Sequence, residues 1–186
     1  MIPNGDERDV KIYTARGDKG QTDLLGERVG KSDPRIDLLG ELDETTSTIG
    51  MARSLAAWGN GAEMLLTVQR DLYQIMDELA FTDSTRPDAM VFKAERVDWL
   101  EESIAMVQES VELPREFVVP GESTPGAALD VARTVVRRTE RAAVGLAESG
   151  TAINAEIIRY LNRLSTLMFI LARAEDGHVV VAKLKG

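Results

Sequence analysis

The sequence contains no cysteine and a single histidine, His178. Without cysteine there are no disulfide bonds and no thiol nucleophile, and one imidazole excludes a histidine-rich metal site within one chain. Any metal ion is therefore expected to be a hard cation that arrives with a ligand.

No stretch reaches the roughly 18 uncharged apolar residues of a membrane span, and residues 1–10 lack the apolar centre of a signal peptide. We expect a cytoplasmic protein.

Basic residues are in the minority, since 22 Lys and Arg stand against 31 Asp and Glu and give a net charge of −9. This balance argues against sequence-independent binding to nucleic acid or to an anionic membrane. With 186 residues, 44% of them hydrophobic, the chain suffices for one sizeable core and is short for two domains. We expect one domain, residues 1–186, comprising an N-terminal segment 1–32, a helical bundle 33–176 and a tail 177–186.

Five segments carry apolar residues at spacings of three and four, which is typical of amphipathic helices. The first opens with Asp33 as a cap and Pro34 at the first helical position, and it ends at Gly59. The predicted helices cover 34–58, 62–81, 93–111, 127–148 and 155–176, with a non-helical connector at 113–126 and one short strand in the tail. Because no alternating strand pattern runs between them, we predict an all-α bundle of five helices.

Residues 14–35 place four glycines among five basic side chains, with no apolar run long enough for a regular element. Glycine lets backbone N–H groups approach an anion closely and lysine neutralises it, which suggests a phosphate loop. The segment is not a Walker A motif, because Gly26 lies one residue too near Lys31 and no buried strand precedes it. A solvated linker is the alternative interpretation.

Arginines recur with a spacing of four in the fourth helical segment, at Arg133, Arg137 and Arg141, with Arg138 beside them. This spacing places the three guanidinium groups on one helical face. They form either a solvated face relieved by nearby carboxylates or a clamp for a polyanion such as triphosphate, since guanidinium forks match phosphate oxygens.

Polar residues also interrupt two other helical segments. Asn162 and Arg163 sit within an apolar stripe, where Asn162 either bonds a neighbouring helix or orients a ligand. Glu41, Asp43 and Glu44 are surface charges, a metal site or ion-pair partners for the arginine face. Spacing alone does not choose among these roles.

Seven motifs appear in order along residues 11–176: "KIYTARGDKGQT", "GERVGKSDPR", "LDE", "QRDLYQIMDELA", "FVVPGES", "RTVVRRTER" and "YLNRLS". Together they resemble the PduO-type ATP:cob(I)alamin adenosyltransferases, a family of corrinoid adenosyltransferases. The resemblance implies a ferritin-like five-helix bundle that assembles as a homotrimer, with ATP bound between adjacent subunits. The N-terminal segment would then order itself over the nucleotide.

The implied reaction transfers the 5′-deoxyadenosyl group of ATP to the Co(I) centre of cob(I)alamin, a corrinoid, and releases inorganic triphosphate, with Mg²⁺ accompanying ATP. The resemblance assigns no metal ligand to the protein. A corrinoid reductase and an adenosylcobalamin-dependent enzyme are the implied partners. The residues that it places on ATP are Thr14, Ala15, Arg16, Gly17, Thr22, Asp23, Lys31, Arg137, Arg138, Thr139, Glu140, Arg141 and Asn162.

Three residues carry further implied roles. Arg137 is also expected to act in catalysis, paired with Asp43 across the subunit interface. Removing either partner of such a partly buried pair is expected to damage assembly and activity. Phe117, in the connector, is the candidate apolar wall against the corrinoid, and a loop anchor in the core is its alternative role.

Four positions depart from the family's pattern: Gly26, Thr46, Glu122 and Thr166. These departures leave open a non-catalytic relative that binds ATP or corrinoid as a sensor or carrier. A purely structural trimeric bundle is the other alternative. ATP binding separates the structural bundle from the other two, and turnover with reduced corrinoid separates the enzyme from the sensor.

Overall fold

The fold was analysed in a computed structural model that describes residues 13, 15–81, 85–113 and 115–182. Five α-helices form a bundle, which confirms the predicted fold class: α1 (Pro34–Leu55), α2 (Gly61–Ala80), α3 (Ala94–Gln108), α4 (Thr124–Glu148) and α5 (Ala155–Asp176). Two antiparallel strand pairs flank the bundle, β1 (Gln21–Leu24) with β2 (Glu27–Gly30) and β3 (Val118–Val119) with β4 (Val180–Val181). The described part of the chain contains no helix with the length and apolarity needed to cross a membrane.

The start of α1 follows the predicted cap. Asp33 accepts a hydrogen bond from the backbone N–H of Arg35 at 2.9 Å, and Pro34 is the first helical residue. The helix ends at Leu55, earlier than predicted, because Glu175 of α5 accepts the N–H groups of Ala57 and Trp58, both at 2.9 Å. A carboxylate remote in sequence therefore takes the amides that a longer helix would use.

The prediction that residues 14–35 contain no regular element is wrong, because β1 and β2 form a hairpin there. Gly26 closes its turn with φ of +112°, a conformation that glycine adopts readily. The hairpin is attached to the bundle through Leu25, whose N–H donates to Ala80 O at 3.0 Å. Strands of four residues with mostly polar side chains carry little alternation, which explains why the pattern did not predict them.

The core lies where α4 packs against α1 and α5, with α2 against α1 and α3 against α5. A polar network crosses it. Tyr160 is fully buried and its hydroxyl donates to Asp71 at 2.8 Å, while Arg96 holds the same carboxylate at 2.8 and 2.7 Å. Burial, followed by the charge of Asp71, raises the pKa of Tyr160 well above its ordinary value, so the hydroxyl remains a donor.

Candidate functional site

A groove of about 330 Å³ runs along the outer face of α4 beside α5. Arg137 and Arg141 stand one helical turn apart on its α4 side, and both are exposed. Neither has a side-chain hydrogen bond or ion pair with any residue that the structure describes. Two adjacent guanidinium groups without partners provide donors for a bound polyanion.

The other two arginines of this segment have partners. Arg133 Nε lies 2.9 Å from Asp130 Oδ1. Arg138 Nε lies 2.6 Å from Glu41 Oε2, and its Nη2 pairs with Glu44. Hydrogen bonds to these carboxylates, to Glu44 most strongly and to Glu41 next, raise the pKa of Arg138 above its ordinary value. Of the three roles left open for the α1 carboxylates, ion pairing is the one observed for Glu41 and Glu44. The predicted ATP ligand Arg138 is thus directed towards α1 rather than into the groove.

Thr139 differs from the expectation most clearly. Its side chain is fully buried, with the hydroxyl 2.8 Å from that of Thr45 and 3.2 Å from the backbone oxygen of Glu41. These contacts join α4 to α1 and leave the side chain no surface on which ATP could rest. The motif "RTVVRRTER" therefore contributes residues to two different faces of α4.

Asn162 joins the groove from α5. Its Nδ2 donates to Glu140 Oε1 at 2.7 Å, and its Oδ1 accepts from Arg163 Nη1 at 2.7 Å. Asn162 is exposed and Arg163 half-buried, so the prediction that they interrupt the buried stripe is wrong. Asn162 both bonds a neighbouring helix and lines the groove with Arg137 and Arg141.

The candidate ATP-binding residues of the N-terminal segment lie on the hairpin or in the turn before it. Gly17 contacts Lys31 so closely that a Cβ on the glycine would lie 3.1 Å from the Lys31 Nζ, and Lys31 N–H donates to Gly20 O at 2.9 Å. Ala15, with φ of +57°, begins this turn. The Lys31 amine thus lies close to the backbone of Gly17.

Arg28 connects both strands of the hairpin with the turn before them, a role that its sequence context did not indicate. Its Nη1 lies 2.6 Å from Asp23 Oδ1, its cross-strand partner, and its Nη2 donates to Arg16 O at 2.8 Å. Recognising the hairpin would have paired Arg28 with Asp23 from register alone. Thr22 is half-buried on β1, and Thr14 lies outside the described residues.

The hairpin and the groove are built on different helices. Beyond β1 and β2, the hairpin contacts the end of α2, through Leu25 and Ala80, and the first turn of α1, through the 2.5 Å ion pair of Glu27 and Arg35. Gly26 in its turn also lies against Thr85. None of these contacts involves α4. Asp43, on α1, is exposed and has no side-chain partner among the described residues.

Phe117 is 89% exposed and immediately precedes β3, where its carbonyl accepts from the Ala182 N–H at 2.7 Å. This exposure excludes the alternative of a loop anchor in the core. Within the described residues, no group of three or more histidine or carboxylate side chains is arranged to hold a metal ion.

The four departures from the family's pattern occupy different environments. Gly26 lies against Thr85, and Thr166 is exposed on α5. Thr46 is buried and its hydroxyl lacks a partner among the described residues. Glu122 Oε2 lies 2.8 Å from His178 Nε2.

A five-helix bundle with a glycine-containing hairpin and with two groove arginines that have no side-chain partner among the described residues defines a helical protein with donors for a polyanion. The family model "Cobalamin adenosyltransferase" matches residues 12–175. The chain belongs to the cobalamin adenosyltransferase family.

Two relatives and one solved structure illustrate the similarity. The corrinoid adenosyltransferase of Bacillus subtilis is 40% identical over 173 residues, covering 90% of this chain and 88% of that protein. Corrinoid adenosyltransferase PduO of Salmonella typhimurium is 38% identical over 173 residues, and the match covers 90% of this chain but only 50% of that protein. A variant PduO-type ATP:corrinoid adenosyltransferase from Lactobacillus reuteri, complexed with cobalamin and ATP, superposes with a TM-score of 0.86 at 32% identity, covering 94% of this chain and 100% of that one.

Proposed function

We propose that the protein transfers the 5′-deoxyadenosyl group of ATP to the Co(I) centre of cob(I)alamin and releases inorganic triphosphate. The observation that carries this proposal is the pair of exposed guanidinium groups of Arg137 and Arg141, which have no side-chain partner among the described residues, in a chain of this family. The names of the relatives and the ATP and cobalamin bound in the Lactobacillus reuteri structure support the same reaction.

The reaction is a displacement at carbon. The electron pair of Co(I) forms the cobalt–carbon bond, the bond between the 5′ carbon and its oxygen breaks, and that electron pair leaves on triphosphate. Negative charge on the leaving group rises as the bond breaks, so fixed cations stabilise the transition state. Arg137, Arg141 and Lys31 are suited to this role, and positioning supplies the rest. Neither a side-chain nucleophile nor a general base is needed.

A complete nucleotide site would require two copies of the chain. The hairpin with Lys31 is attached to α1 and α2, whereas the groove with Arg137 lies on α4 and α5, and we propose that ATP binds between the hairpin of one subunit and the groove of its neighbour in a homotrimer. Asp43 and Arg137 are both exposed and without side-chain partners among the described residues, which leaves them available to pair across that interface. Such a pair would couple assembly to catalysis.

The remaining participants follow from the chemistry. Mg²⁺ would arrive with the phosphates of ATP and neutralise part of their charge. Co(I) is strongly reducing, so a corrinoid reductase would supply it. An adenosylcobalamin-dependent enzyme would receive the product. We propose that these steps take place in the cytoplasm. The exposed ring of Phe117 would serve as the apolar wall against the corrinoid.

An anaerobic assay tests the proposal. Protein, MgATP and chemically reduced cob(I)alamin are mixed, and the loss of Co(I) absorbance is followed. We expect adenosylcobalamin with the wild type and at least about tenfold less with Arg137→Ala, because a charged contact in the transition state is removed. Arg159→Ala is the matched control, since Arg159 pairs with Glu156 at 2.7 Å outside the groove.

Two outcomes would contradict the proposal. ATP binding by a folded protein without product would favour the sensor or carrier. Absence of ATP binding would favour the structural bundle, in which the arginines serve only contacts between subunits.

A further inference from the structure

Two stretches of chain run side by side from the bundle out to Phe117, namely residues 117–123 and 176–182, here called the Phe117 ribbon. At the outer end the Ala182 N–H donates to Phe117 O at 2.7 Å, and β3 pairs with β4. The position of the exposed Phe117 ring therefore depends on how firmly these two stretches are joined.

The inner end of the ribbon is anchored in the bundle. Asp176 Oδ1 accepts from the backbone N–H and the hydroxyl of Ser123, at 3.1 and 2.9 Å. Arg173, which is buried, holds Asp176 at 2.8 Å and Asp130 at 2.5 Å. A Cβ on Gly126 would lie 2.0 Å from Asp176 Oδ1, so the start of α4 fits closely against this carboxylate. These contacts attach the inner end of the ribbon to α4 and α5.

The outer end of the Phe117 ribbon is held by a short strand pair. β3 and β4 contain two residues each, and their paired valines are exposed or half-buried. An isolated two-stranded ribbon is marginal in water, and this one is far shorter than most. Packing of the strands alone is therefore a weak constraint on Phe117.

Between the anchor and the strands lies the contact of Glu122 with His178, at 2.8 Å from Oε2 to Nε2. Glu122 belongs to the first stretch of the ribbon and His178 to the second. The imidazole can donate this hydrogen bond from Nε2 whether or not it is charged. The Glu122 side chain is 25% exposed and that of His178 is 69% exposed, so the contact lies on the surface and stabilises the ribbon without contributing to the core.

We propose that Glu122 and His178 are positioning residues for the corrinoid, forming a clasp that joins the two stretches of the Phe117 ribbon to each other. This inference rests on the proposed function. Neither residue touches the reacting atoms. The clasp acts through Phe117, and its loss lets the outer ribbon separate and moves the apolar wall away from the corrinoid. The ATP groove on α4 and α5 is built from other residues and is unaffected.

The test separates the two substrates. Michaelis constants for cob(I)alamin and for ATP are measured anaerobically for the wild type, Glu122→Ala and His178→Ala. The expected result is a Michaelis constant for cob(I)alamin raised by about threefold to fivefold, the effect of one surface hydrogen-bonded pair, with that for ATP unchanged. Glu122→Gln keeps an acceptor for the imidazole and restores most of the lost affinity.

Glu156→Ala is the matched control, because Glu156 is 26% exposed and lies 2.7 Å from Arg159, away from the ribbon. Its Michaelis constants are expected to equal those of the wild type. A second readout is hydrogen exchange without corrinoid: the Ala182 amide exchanges faster in Glu122→Ala than in the wild type, while the thermal unfolding midpoint is nearly unchanged.

The outcomes distinguish the two proposals. A wild type that makes no adenosylcobalamin refutes the proposed function and the clasp's role with it. An active wild type whose Ala182 exchange and cob(I)alamin affinity are the same in Glu122→Ala overturns the clasp alone. An equal rise in the Michaelis constants for both substrates also overturns it, because it indicates general damage to the fold.

Discussion

Neighbouring arginines on α4 have different roles because of what each one faces. Arg138 points to the carboxylates Glu41 and Glu44 of α1, whereas Arg137 and Arg141 face the groove beside α5. Spacing by four predicted a common face for the latter two, and a step of one residue turns the helix by about 100°. The sequence could not reveal that α1 would supply partners for Arg138, because that depends on packing between helices.

Substitution of Arg141 by alanine, compared with substitution of Arg138, tests whether the groove arginine binds ATP and the other joins α4 to α1. We expect Arg141→Ala to raise the Michaelis constant for ATP about tenfold or more, through loss of charge-assisted hydrogen bonds, and to leave the thermal unfolding midpoint unchanged. Arg138→Ala should lower that midpoint, because it separates α4 from the carboxylates of α1. Equal unfolding midpoints for the two variants would contradict the assignment.

The hydroxyl of Tyr160 provides a test inside the core. Tyr160→Phe removes the 2.8 Å hydrogen bond to Asp71 and leaves that carboxylate to Arg96 alone. The free energy of unfolding should fall by about 1–3 kcal/mol, because a buried acceptor loses a donor. Urea denaturation measures it, and Tyr73→Phe, at an exposed position, is the control that should change little.

At the scale of elements, prediction succeeded where a local signal fixed a boundary. Asp33 and Pro34 marked the start of α1, and the period of α5 gave both of its ends. The end of α1 was missed because Glu175, far along the chain, determines it. The hairpin of residues 21–30 was missed for a different reason, since its two strands of four residues are mostly polar and show little alternation.

The cap of α1 makes a prediction about acid. Hydrogen bonds from the Arg35 side chain and then from its backbone N–H hold the pKa of Asp33 below its ordinary value of 3.8. A carboxyl whose pKa is lowered on folding contributes stability above its unfolded pKa and loses it as pH falls through the folded one.

Asp33→Asn keeps a capping side chain but removes this titration. We expect the wild type to be the more stable near pH 7 and the difference to shrink as pH falls below about 4. Chemical denaturation at several pH values measures it. A difference that stays constant with pH would show that Asp33 acts through cap geometry alone.

At the scale of the whole molecule, the candidate ATP-binding residues fall into two groups, one on the hairpin and one in the groove of α4 and α5. The sequence identified the candidate residues on the hairpin and on α4, but it gave no distance between them. Within one chain the hairpin contacts α1 and α2, while Arg137 and Arg141 face the groove beside α5. If ATP uses both groups, assembly is part of the active site rather than an addition to it.

Mixed oligomers test this directly. Lys31→Ala and Arg137→Ala chains are each expected to be nearly inactive, because every site in either oligomer lacks one cation. When equal amounts are unfolded and refolded together, a site between subunits combines an intact Lys31 from one chain with an intact Arg137 from its neighbour in about one quarter of random pairings. Adenosylcobalamin formation should then recover to about one quarter of the wild-type rate. If each chain held a complete site, refolding together would recover nothing, because every site would still lack Lys31 or Arg137.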